Sequence, residues 1–237
     1  YAREMRTRKF VLILAMCFAL ALPMSAQEAC NPAWVDLLKP GLEGWQKLGE
    51  GKWNLDANGV VTGYRDEDFN RLKALAPFDY QMVRGWVLAQ GWLYTVREYE
   101  EFDLSLEYWV RAPGNSGISI RDQTRAACGI KIPPDFACTP SKTGYEIQIN
   151  SDWPDKWVSG SIYTLANAKD GFQKRLDWNR MEIESRKDAI RVKINGELVA
   201  AHPGAPGRPL KGPIGLQLHD LTSYSRFRNI RVKELCR

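Results

Sequence analysis

Hydrophobic and polar residues alternate along most of this chain with a period of two. Over residues 102–110, Phe102, Leu104, Leu106, Tyr108 and Val110 share one side. Asp103, Ser105 and Glu107 take the other, as in a strand with one buried face. Two shorter stretches alternate in the same way. In 114–121, Ile118 and Ile120 lie on one side, and Gly117, Ser119 and Arg121 on the other. In 145–149, Tyr145, Ile147 and Ile149 oppose Glu146 and Gln148. If the isoleucine faces enter one core, then Arg121, Ser119, Glu146 and Gln148 point outward, as solvent coat or as a site. The late stretch 214–219 repeats the pattern, with Leu216 and Leu218 inward and Gln217 and His219 outward.

Further strands are predicted at 34–38, 82–88, 92–96, 159–163, 178–185, 189–194, 197–200 and 227–234. Residues 53–55 and 60–62 flank Asp56-Ala57-Asn58-Gly59, a hairpin signal. One helix is predicted over 66–76, where Phe69, Leu72 and Leu75 recur at helical spacing and Pro77 stops it. Residues 122–144 read as a long loop. So many short strands with one helical insertion predict an all-β fold, an antiparallel β-sandwich or jelly roll.

The first residues change the picture. Arg6, Arg8 and Lys9 precede an apolar run, 10–22, too short for a comfortable membrane span, and Ala26 supplies a cleavage point. This predicts a signal peptide over 5–26, a single domain over 27–237, and a secreted or periplasmic protein. No other stretch predicts a membrane span. The formal net charge is +5. Cleavage would reduce it to about +2, too weak a bias to indicate nucleic acid. Four cysteines would remain, an even count that suits an oxidising compartment. Their positions predict Cys128–Cys138 across one loop and Cys30–Cys236 joining the two ends.

No nucleophile motif, phosphate loop or metalloprotease helix is present. On the strand at 145–149 the outward neighbour of Glu146 is Gln148, so the acidic doublet of jelly-roll glucanases is missing. A retaining glycosidase needs two carboxylates about 5 Å apart. A lone outward histidine such as His219 reads by strand pattern alone as surface more often than as a site.

Residues 114–121, 145–149 and 159–163 occur in this order with Trp178-Asn179, Ile194-Asn195-Gly196, Gly215-Leu216-Gln217-Leu218-His219 and Phe227-Arg228-Asn229-Ile230. Together they resemble the 3-keto-disaccharide hydrolase family over roughly 34–235. The resemblance implies a concanavalin A-like jelly roll with a sugar site on one sheet face. It also implies an exported protein that cleaves glycosides oxidised at C3. Three features depart from the family pattern: Asn150 where an acidic residue is usual, a long stretch at 64–90, and Asp220 after the histidine. The first reading is therefore a hydrolase of 3-keto-glycosides or 3-keto-disaccharides acting by elimination and hydration. Its catalytic residues are Glu146, His219 and Arg121. Asn115, Gln148, Tyr163, Trp178 and Gln217 bind substrate, and a divalent metal on His219 and Glu146 is an open alternative. The competing readings are a non-catalytic carbohydrate-binding module and, with least support, a structural cell-envelope protein. A sugar or glycoside is the expected partner; no protein partner is indicated.

Overall fold

The computed structural model describes residues 32–65, 90–131, 135–220 and 223–236. The predicted helix at 66–76, the strand at 82–88 and the leader at 5–26 lie outside these residues.

The strongest alternating stretch is β6 (Phe102–Val110). It pairs on one side with β9 (Asn179–Arg186) and on the other with β13 (Ser225–Glu234), both antiparallel. Around this centre an eight-stranded sheet runs β11-β10-β9-β6-β13-β4-β3, with β1 also on β13. Its remaining strands are β1 (Trp34–Asp36), β3 (Lys52–Leu55), β4 (Val61–Tyr64), β10 (Ala189–Ile194) and β11 (Glu197–His202). Asp56 closes the β3–β4 turn, its Oδ1 accepting from the Asn58 and Val60 amides at 2.9 Å each. At the β10–β11 turn, Asn195 and Gly196 both take positive φ, 52° and 91°, as a two-residue hairpin demands.

The second sheet has five strands in the order β2-β5-β12-β7-β8. They are β2 (Trp45–Gly49), β5 (Gly91–Thr95), β7 (Gly114–Ile120), β8 (Tyr145–Ser151) and β12 (Ile214–Leu218). Leu93, Ile118, Ile120, Ile147, Ile149, Leu216 and Leu218 project from it into the core, against Leu104, Leu106, Met181, Ile183 and Phe227 of the larger sheet. Each such side chain contributes roughly 1.5–3 kcal/mol of burial free energy. The isoleucine faces of 114–120 and 145–149 are thus core faces, as their periodicity predicted.

Two predicted features differ. Residues 159–163 do not form a strand. They turn alongside β8, joined by Gln148 N to Ser161 O, Gly160 N to Gln148 O and Tyr163 N to Glu146 O at 2.8–2.9 Å. Gly160 adopts φ 88° and Thr164 φ 67°, and these reversals end the pairing after one bridge, Ile147–Ile162. The 122–144 loop also contains structure. It holds a 3-10 turn (Phe136–Cys138) and a short helix, α1 (Pro140–Thr143), started by Pro140. Among the described residues no helix is long and apolar enough to cross a membrane.

Candidate active site

The outer face of the five-stranded sheet divides into two halves. On β5, Trp92 and Tyr94 stack with ring centroids 5.4 Å apart. Ala126, Leu48 and Ile130 cover them, making a small second apolar cluster. Gly215 makes room for it: a Cβ there would lie 2.4 Å from a Tyr94 ring carbon. The other half, on β12, β7 and β8, carries polar side chains and opens into a pocket of ≈260 Å³.

Glu146 is at the floor of this pocket, 7% exposed. Its register partner on β7 is Ser119, and Gly117 faces Gln148. The Gln217 amide donates to Glu146 Oε1 at 3.0 Å. A Cβ on Gly117 would come within 3.0 Å of that same oxygen and 3.2 Å of Gln217 Oε1. Glycine on β7 is therefore what lets the glutamate and glutamine meet across the strand. Desolvation pushes the Glu146 carboxyl up to about 7, against the lowering influence of His219 and of the Gln217 hydrogen bond. Asp155 and Asp122 add to the rise. A carboxyl at about 7 is half ionised at neutral pH and is suited to accept and return a proton.

His219 lines the same pocket, partly exposed. Its Nδ1 lies 3.3 Å from Asp220 Oδ2, and its ring makes a T-shaped contact with Trp153 at 5.5 Å between centroids. Asn115, Gln148 and Gln217 complete the floor. Asn115 Oδ1, Gln148 Nε2 and Gln217 Oε1 are buried without a hydrogen-bond partner. Buried amide atoms are normally paired, so two acceptors and one donor are held ready for a polar ligand. Tyr163 stands on the wall, its hydroxyl donating to Asp155 Oδ2 at 3.0 Å. Burial, with Asp155 nearby, raises its phenol above the ordinary value.

Two expected residues are not in the pocket, and Glu146 is not the solvated outward group that alternation suggests. Arg121 follows the last residue of β7 with φ 59°. That left-handed step breaks the alternation and sends its side chain away from the pocket. There it is fully buried, Nη2 donating to the Glu100 carbonyl at 3.3 Å. Burial depresses its pKa, with Tyr145 and Glu101 opposing the effect. Trp178 immediately precedes β9 of the larger sheet, with the Arg228 and Arg226 guanidinium carbons 4.1 and 5.4 Å from its ring centroid.

Other pocket residues carry no periodic signal. Gln90 precedes β5; Thr139, Ser141 and Lys142 come from the 122–144 loop, and Thr164 from the turn beside β8. The loop is fastened by Asp122, which accepts from Thr124 N and Oγ1, Ala126 N, Thr143 Oγ1 and Tyr94 OH at 2.7–3.2 Å. The Cys128–Cys138 disulfide closes it, as predicted. Cys236 is also disulfide-bonded, while its expected partner Cys30 lies outside the described residues. The disulfide spacing was the available hint that this loop is ordered, and the exposed Lys142 is the one cationic residue among the described lining residues other than His219. Thr164 is a β-branched residue at positive φ, a conformation that costs of order 1–3 kcal/mol and concentrates at functional sites.

Glu146 is the one carboxylate among the described pocket residues. Asp122 is occupied by its five donors, and Asp155 by Tyr163 and Trp157. Among the described residues the paired acids of a double-displacement glycosidase are not assembled. Nor do Glu146 and His219 find a third His, Cys, Asp or Glu at ligand distance among the described residues. Among the described residues this donor set does not fit a metal centre.

A two-sheet antiparallel jelly roll with a polar pocket on one sheet face is the architecture of carbohydrate-active and galectin-like proteins. The profile of the 3-keto-alpha-glucoside-1,2-lyase-like domain matches residues 33–233, and the chain belongs to that family. A crystal structure of a candidate glycosyl hydrolase from Parabacteroides distasonis is 25% identical, covering 86% of this chain and 100% of its own, with a TM-score of 0.61. A Bacillus subtilis protein of unknown function with a galectin-like fold is 14% identical over 87% of this chain and 96% of its own, TM-score 0.57. The carbohydrate-binding module CBM66 from Bacillus subtilis is 13% identical over 81% and 96%, TM-score 0.53. No curated protein matches the chain.

Proposed function

We propose that the chain cleaves the glycosidic bond of glycosides whose sugar carries a ketone at C3, by elimination followed by hydration. The observation that carries this reading is a buried carboxyl at about 7 beside an imidazole, with no second free acid among the described residues of the pocket. A C3 ketone makes the C2 proton acidic. Glu146 takes that proton, and the C2–H electron pair enters the enolate. Re-forming the ketone expels the C1 oxygen substituent and leaves a C1–C2 double bond. His219 supplies the proton to the departing oxygen. Water then adds at C1, giving its proton back to His219, while C2 regains a proton from Glu146, and the free keto sugar results. One base and one stabiliser of the enolate oxygen suffice for this route. In this reading Lys142, a cation among the lining residues, takes the stabilising role in place of the buried Arg121. Asn115, Gln148 and Gln217 orient hydroxyls through their unpaired amide atoms.

The family description, a lyase acting across positions 1 and 2, supports the same bond changes. The disulfide supports an exported protein, since such bonds persist in oxidising compartments. The test is turnover of a 3-keto-glucoside in D2O. Elimination incorporates deuterium at C2 of the released sugar. Release without deuterium at C2 would refute the mechanism, and binding without release would make the domain a carbohydrate-binding module.

A further inference from the structure

The outer face of the eight-stranded sheet is the side of the sandwich opposite the pocket, and its charge is uneven. Strand β13 runs through the interior of this sheet, between β6 and β4, with β1 also paired to it. Its Phe227, Ile230 and Val232 are buried, so the alternation changes phase between 227 and 230. A register shift between Arg228 and Arg231, with Asn229 at φ 54°, marks the bulge responsible. Without it, a period of two begun at Arg226 and Arg228 would turn Arg231 and Lys233 into the core. With it, all four cations share the outer face, over roughly 20 Å of strand.

The acids on this face do not balance them. The four outward acids of β6 and β9 each already have a cationic partner, Glu107 with Arg228 and Asp103 with Arg186 among them. Asp36, opposite Arg231 in register, accepts from the Leu38 amide at 2.9 Å. Arg226, Arg231 and Lys233 make no ion pair among the described residues.

Aromatic rings stand among these cations. Trp109 of β6 is the register partner of Arg226. Its ring lies at 89° to that of Tyr224, with centroids 6.0 Å apart, so the two form a corner, and Tyr224 is exposed. Trp178 holds the Arg226 and Arg228 guanidinium groups against its own ring, and Glu107 takes Nε of Arg228. Stacking and pairing thus orient two guanidinium planes before any ligand arrives.

We propose that this face is a docking surface for an acidic polysaccharide, a chain of sugar rings bearing carboxylates. The corner of Trp109 and Tyr224 receives the C–H face of a ring. The unpaired cations along β13 receive carboxylates, which the guanidinium fork matches in shape. A neutral glycan would leave three cations without partners. An anionic membrane would need apolar groups reaching past the cations, whereas Trp109 and Trp178 are half-buried between them. The pocket opens on the other sheet, so a chain held on the polymer still admits small glycosides. The proposal is independent of the catalytic reading, since it requires no reaction in the pocket.

The test titrates the purified chain with oligogalacturonate, read by calorimetry and by the indole N–H signals in NMR. The ligand should shift Trp109 and Trp178 and leave Trp153, beside His219, in place. Binding should weaken with added salt. The pair Arg226→Gln with Arg231→Gln, and separately Tyr224→Ala, should each lower affinity about tenfold, the scale of a lost charge-assisted contact or stacking face. Melting curves verify that these variants are folded. Glu146→Gln should bind like the wild type. Polyglutamate, with carboxylates but no sugar rings, and dextran, with rings but no carboxylates, should bind about tenfold more weakly or not at all. Unmoved Trp109 and Trp178 signals in the wild type overturn the proposal, and so does equal binding of polyglutamate. Loss of binding in Glu146→Gln would assign the polymer to the pocket and overturn it too. Binding to phosphatidylglycerol vesicles without binding to oligogalacturonate would make the face a membrane contact instead.

Discussion

Replacing Glu146 by Gln should abolish activity and at the same time stabilise the protein, in a pH-dependent way. The carboxyl rises from an ordinary 4.5 to about 7 because burial disfavours its charged form. The folded chain therefore holds this proton more tightly than the unfolded chain does. Between pH 4.5 and 7 the unfolded state has lost the proton and the folded state has not, so stability falls as pH rises through this window and levels off above it. The full interval corresponds to about 3 kcal/mol, an order-of-magnitude figure. Glutamine does not titrate, keeps the shape, and its carbonyl can still accept from Gln217. Urea unfolding of both proteins from pH 4.5 to 8 checks this. The variant's advantage should grow by about 3 kcal/mol over that range, on the order of 10 °C in Tm for a domain of this size. Turnover at pH 8 should fall by 10²-fold or more. A stability difference that stays flat across the range would refute the buried, shifted carboxyl, whatever happened to the activity.

His219→Ala should lower kcat by about 10²-fold with little change in Tm, since the ring is partly exposed and its loss removes a proton carrier rather than core; comparing melts with rates checks it. Two glycines should separate stability from function: Gly215→Ala, driving a methyl into the Tyr94 ring, should cost about 1–3 kcal/mol. Gly117→Ala, crowding the Glu146 and Gln217 oxygens, should impair turnover more than unfolding midpoint. Reducing Cys128–Cys138, or replacing both by Ser, should cost about 2–3 kcal/mol for a loop of this length. It should also raise KM, because the wall residues Thr139, Ser141 and Lys142 directly follow the bond; denaturant titration and kinetics with and without reductant check both.

The parts of the site legible in the sequence were those where a regular strand carries the side chain. Glu146, Gln148 and Gln217 alternate with buried aliphatics, and period two alone assigns them to one face. That rule fails at the first residue with left-handed backbone. Arg121 follows β7 without interruption in sequence, yet φ 59° redirects it, and an arginine at positive φ has no sequence signature. Trp178 was misplaced for another reason: alternation tells which face of a strand a residue occupies but not which sheet the strand joins. The 159–163 stretch has strand composition, and its turn depends on tertiary pairing with β8. Lys142, Thr139 and Gln90 come from segments with no period at all.

The attachment of the pocket wall bears on how such proteins diverge. All five donors to Asp122 lie outside the arc between Cys128 and Cys138, which the disulfide closes on itself. Residues added within that arc lengthen a loop whose ends are already joined, and each doubling of a loop's length costs only about 0.6 kcal/mol. The arc is thus a permissive site for insertions that reshape the pocket entrance over evolutionary time, while Asp122 and the strands beneath keep the chemistry in register.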